Sequence, residues 1–104
     1  MIHRLSRQLG KEKRDLLVLE TVLEHQPVGI SRIADHTGID EHKVRYSLRM
    51  LENDGLIDPT PEGATVADDV PDRIGEINDG IDSLIHRMEA LKGTDIPKDA
   101  ERQI

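Results

Sequence analysis

The sequence predicts a mainly α fold carrying one small β-hairpin and closed by a long C-terminal helix, and three observations predict it. Ala34, Gly38 and Val44 stand at spacings that suit two short helices meeting at a tight turn. Two short apolar segments, Leu56-Ile57-Asp58 and Ala64-Thr65-Val66, flank Pro59-Thr60-Pro61-Glu62-Gly63, a run of turn residues. From Val70 to Leu91 apolar residues recur at spacings of 4, 3, 4, 3, 4 and 3, the seam of a coiled-coil helix.

The first ten residues are basic, with Leu5 and Leu9 at helical spacing, and Gly10 interrupts the helical pattern. Residues 1–10 are therefore expected to form an arm or a short docked helix. Residues 11–24 predict a firm helix with Leu16, Leu19 and Leu23 on one face and Leu17, Val18 and Val22 over much of the rest. A helix apolar on several sides must be covered on several sides. Gln26-Pro27 ends it, Val28-Gly29-Ile30 suits a short strand, and Ser31 is the expected N-cap of the next helix, about residues 32–37, which buries Ile33 and Ala34.

Gly38 can adopt the positive φ that ends this helix. Asp40 is a good N-cap for its successor, Glu41 supplies an acid to the first turn, and Ile39 with Val44 suits a hydrophobic staple. Gly55 is the expected stop. At about 100° per residue, Val44, Leu48 and Leu51 share one face. His42, Tyr46, Arg49 and Asn53 line the opposite one, flanked by Lys43, Arg45 and Met50. That outer face has cations suited to phosphates and guanine edges, an amide suited to adenine or phosphate, and a phenol suited to phosphate or thymine methyls.

These residues carry a resemblance. Residues 29–65, and above all the phrase from Val44 to Ile57, VRYSLRMLENDGLI, resemble the winged helix-turn-helix of small prokaryotic and archaeal transcription regulators. The resemblance implies a DNA-binding domain over residues 11–67, with a recognition helix followed by a wing. It covers roughly a third of the chain and supports the class of protein, not its DNA target. The expected DNA-binding residues are Ser31, Arg32, His42, Lys43, Arg45, Tyr46, Arg49 and Asn53. In the resembling families the wing often carries a base into the minor groove, but here its tip offers Glu62 and no cation.

The long helix, expected over residues 68–92, opens on Asp68-Asp69-Val70-Pro71, with acids and an early proline where helix starts favour them. Its seam, Val70, Ile74, Ile77, Ile81, Leu84, Met88 and Leu91, widened by Ile85, is the expected dimerisation surface. The flanking positions Arg73, Gly80, Arg87, Asn78 and Lys92 give no opposite-charge pattern for a parallel pair, which favours an antiparallel or bundled homodimer that also uses the helix at residues 11–24. Residues 93–104 are expected to be a loose tail.

Length and composition bound the rest. A single small domain of 104 residues has a marginal core, which an oligomer would reinforce. Without cysteine there is no disulfide framework and no thiol chemistry. No apolar run approaches membrane-spanning length and the N-terminus is too polar for a signal peptide, so the expected location is the cytoplasm. The net charge of −7 is unevenly placed: residues 1–55 carry nine basic and nine acidic side chains, residues 56–104 five and twelve. The acid lies away from the proposed reading helix. Twelve Asp against five Lys, with one Tyr and no Phe or Trp, also resembles the proteins of salt-loving archaea.

No phosphate-cradling glycine loop, GxSxG or HExxH occurs, and no nucleophile has a plausible base and acid beside it. His36 and His42 flank the turn and could meet with Asp35, Asp40 or Glu41, but two histidines with loosely placed acids are weak evidence for a metal. The expectation is a non-enzymatic DNA-binding regulator, acting as a homodimer on double-stranded DNA, with no cofactor, no metal and no membrane partner. A protein-interaction module of the same fold is the rival.

Overall fold

The structure is a computed structural model and describes residues 1–92; the tail expected at residues 93–104 lies outside the described residues. The chain divides into two units, residues 1–70 and the segment from Pro71 onward.

In the first unit, α1 (Ile2–His25) leads to α2 (Ile30–Thr37), α3 (Glu41–Asn53) and an antiparallel hairpin of β1 (Ile57–Thr60) and β2 (Gly63–Val66). The fold is thus mainly helical with a two-stranded wing, as the periodicities predict. α1 is one 24-residue helix that runs straight through Gly10, so there is no separate arm. A single glycine costs a helix about 1 kcal/mol relative to Ala, too little to end it when no capping residue or proline stands beside it.

The core is assembled from one stripe of each element. Val18, Leu19 and Val22 of α1, Ile33 of α2, Val44, Leu48 and Leu51 of α3, Ile57 of β1 and Ala64 of β2 are all buried, with Val28 and Val70 joining them from the connections. α1 packs on α2, α3 and β2, and α3 also meets β1. Leu16 and Leu17 remain exposed, so the part of α1 that the sequence marks as apolar all round is covered here on one side only. Ala34 is half-buried, less than expected.

Left-handed glycines follow both helices of the pair. Gly38 (φ 73°) turns the chain out of α2, and its N–H donates to the Ala34 carbonyl at 2.8 Å. Gly55 (φ 73°) ends α3: its N–H donates to the Glu52 carbonyl (3.0 Å) and the Leu56 N–H to the Leu51 carbonyl (2.9 Å). That pair of bonds satisfies carbonyls that a helix end otherwise leaves open. The N-termini depart from expectation. α2 begins one residue after Gly29, so Ser31 lies inside the first turn rather than capping it. Asp40 is the cap residue of α3, yet its side chain makes no capping bond.

The segment after α1 does not form a strand. After the cis Gln26-Pro27 peptide, Val28 alone bridges to Ala64, exchanging N–H···O bonds of 3.0 and 2.8 Å, and the Gln26 Oε1 accepts from the Val66 N–H at 3.0 Å. The wing is therefore held along its second strand as well as its first.

The helix α4 (Val70–Ala90) opens with Pro71 in its first turn. Val70 is fully buried within the first unit, so it is a core residue and does not belong to an exposed seam. The seam that remains runs from half-buried Ile74 and Ile77 to exposed Ile81, Leu84, Ile85, Met88 and Leu91.

Candidate nucleic-acid interface

The reading face predicted on α3 is built from the inside outward. Val44, Ser47, Leu48 and Leu51 face the core, which turns His42, Lys43, Arg45, Tyr46, Arg49, Met50 and Asn53 to the surface, all of them exposed. Among the described residues, Lys43, Arg45 and Arg49 take part in no ion pair. Three cations and an exposed ring thus share one helix about 20 Å long, which fits a DNA major groove.

Ser47 is the residue that periodicity missed. It is a polar residue at a core position, fully buried, and its hydroxyl accepts a bond of 2.9 Å from Arg14 Nε of α1. The Arg14 guanidinium lies 5.5 Å from the centre of the Tyr46 ring, within cation–π range. One arginine thus ties α1 to both the inner and the outer surface of α3. Sequence offered only a weak signal, a serine inside an apolar stripe, and none for a partner 33 residues away.

The residues of α2 fare unequally. Arg32 is exposed in the first turn and free to reach a phosphate. Ser31 Oγ donates at 2.8 Å to Glu41 Oε1. A hydroxyl has one proton, so this serine cannot also donate to a phosphate while that bond stands; its structural role is to pin the start of α3 to α2. The same bond keeps a carboxylate near the N-terminal end of α3.

One pair of histidines meets that the sequence does not suggest. His36 stacks on His25, ring centres 4.0 Å apart and planes 11° from parallel. Among the described residues no group of three His, Cys, Asp or Glu side chains is placed to hold a metal ion. The wing tip presents Pro61 and exposed Glu62, with Thr60 Oγ1 donating to the Gly63 carbonyl at 2.7 Å across the turn. From Ile57 to Val66 the hairpin carries two acids and no base, so a phosphate backbone would be repelled by it. Among the described residues no helix is long and apolar enough to cross a membrane.

Comparison with known proteins agrees in class. A family model described as FaeA-like protein matches residues 14–67, from the second half of α1 to the end of the wing. No curated protein matches.

Proposed function

The chain belongs to the FaeA-like protein family, whose members are winged-helix-type regulators, and from that premise we propose that it is a sequence-specific DNA-binding transcription regulator acting as a homodimer. The observation that carries this reading is the outer face of α3, where exposed Lys43, Arg45, Tyr46 and Arg49 stand on a helix fixed from behind by Arg14 and Ser47. In a helix-turn-helix the second helix enters the major groove and its N-terminal residues reach base edges. On this reading His42, Lys43, Arg45 and Tyr46 meet bases or nearby phosphates. Arg49 and Asn53, further along, meet the backbone, and Arg32 anchors α2. Two copies would place their reading helices one helical turn apart on a pseudo-palindromic site.

Nothing in this mechanism needs a catalytic group, a cofactor or a membrane, and a cytoplasmic location follows from it. The acid-rich C-terminal half fits an origin in a salt-loving archaeon, where DNA contacts must work at high ionic strength. The wing's acids favour a second reading, a protein-interaction module that docks a basic partner. Selection of bound duplexes from a random pool, in low-salt and high-salt buffer, tests the choice. A two-fold-symmetric motif is expected; no bound duplex in either buffer would eliminate the DNA reading in favour of the interaction module.

The homodimer rests on the exposed seam of α4. Ile81→Glu with Leu84→Glu puts two charges into that seam, where each would be buried without a partner. Light scattering over a range of concentrations should report twice the monomer mass for the natural chain and the monomer mass for the double variant. A natural chain that stays monomeric throughout removes the dimer.

A further inference from the structure

The N-terminal half of α1 has no assigned role, yet its side chains are sorted by chemistry. At about 100° per residue, Arg4, Arg7, Lys11 and Arg14 fall on one side of the helix, whereas Ile2, Leu5, Leu9 and Leu16 fall on the other. The cationic side is the continuation of the face that packs into the domain further along, through Val18 and Val22. As α1 runs back from its packed half, core residues on that face give way to cations.

Three of those cations border a concavity. Arg7, Lys11, Lys13 and Arg14 line an open groove with Lys43 and the single acid Asp40 at the start of α3. Arg4, Arg7, Lys11, Lys13 and Lys43 are all exposed, and among the described residues none of them is in an ion pair. Five cations against one acid leave the groove with an excess of positive charge, so the arrangement favours a polyanion. It is also continuous with the reading face, because Arg14 closes the row and lies over Tyr46.

We propose that Arg4, Arg7 and Lys11 of α1 form a second, sequence-independent DNA contact, a track for the sugar-phosphate backbone beside the bases met by α3. The inference rests on the DNA-binding reading above and extends it to an element outside the helix-turn-helix. From Arg4 to Arg14 the track is about 15 Å long at 1.5 Å per residue, enough to run beside several phosphates, since duplex DNA carries a charge for roughly each 1.7 Å of its axis. It also supplies the backbone cations that the wing lacks.

The test uses the full chain with Arg4→Gln, Arg7→Gln and Lys11→Gln together, and measures affinity for a selected duplex and for an unrelated one across a salt series. Each lost phosphate contact lowers the slope of log affinity against log salt by about 0.9. The triple variant should therefore lose about 2.7 in slope per protomer and on the order of 100-fold or more in affinity at low salt, equally on both duplexes. A charge-keeping variant, Arg4→Lys, Arg7→Lys and Lys11→Arg, should hold the natural slope. If the natural chain binds DNA and the glutamine variant matches its slope, the track is overturned while the reading helix stands; the charge-keeping variant losing the slope overturns it as well. If the natural chain binds no duplex at any salt, the track falls together with the function it extends.

Discussion

Gly63→Ala should lower the thermal midpoint by about 10 °C or more, because the site rejects a methyl group on two independent grounds. Gly63 has φ +134°, a conformation that L side chains rarely adopt, and an added Cβ would lie 2.6 Å from the carbonyl carbon of Val28 and 2.8 Å from its nitrogen and oxygen. The obstacle is backbone, fixed by the Val28–Ala64 bridge, so no side chain can swing aside. Strain of this kind costs about 1–3 kcal/mol and overpacking about 1–3 kcal/mol more, in a domain whose whole stability is of order 5–15 kcal/mol. At roughly 4–8 °C per kcal/mol, helix melting followed by circular dichroism resolves the loss easily. Gly10→Ala provides the contrast. Nothing lies within 4 Å of its Cβ position, in the middle of an exposed helix, and the same chemical change there should stabilise by about 1 kcal/mol. A Gly63→Ala protein that melts with the natural chain would mean that the approach of Val28 is looser than described.

Arg45→Glu with Arg49→Glu is expected to abolish duplex binding, a loss of more than about 10³-fold at 0.1 M salt. Both side chains are exposed and one helical turn apart on the outer face of α3, so their reversal removes two cations and sets two anions against the phosphates. Surface changes of this kind move stability by about 0.5 kcal/mol at most, and the melting curve should scarcely shift. Titration of a labelled duplex checks the binding and light scattering checks that the oligomeric state is unchanged. Retained natural affinity would take these residues out of the interface and leave the interaction-module reading standing.

The contrast between these two sites explains what could be anticipated from the sequence. The stripe Val44, Leu48 and Leu51, the turn at Gly38 and the stop at Gly55 are local features, fixed by helical period and by the freedom of glycine at positive φ, and they emerge in the structure where the pattern puts them. The outer face of α3 follows from the inner one, since residues that do not point in must point out. Contacts between distant segments have no such period. Arg14 finding Ser47, Ser31 turning to Glu41 and His36 stacking on His25 depend on how α1 and α2 pack, which no local spacing encodes. Gly63 looks like an ordinary turn residue until Val28 is seen against it. The passage of α1 through Gly10 illustrates the reverse error, in which a weak local signal is outweighed by the helix on either side.

The company that Tyr46 keeps has one more consequence, an optical one. The chain has no tryptophan and a single tyrosine, and that tyrosine stands exposed on α3 with the Arg14 guanidinium near its ring. Every photon of intrinsic aromatic emission therefore originates at the face that would touch DNA, while the aliphatic core is dark. In its fluorescence the protein reports on the outer surface of α3 and is silent about its interior.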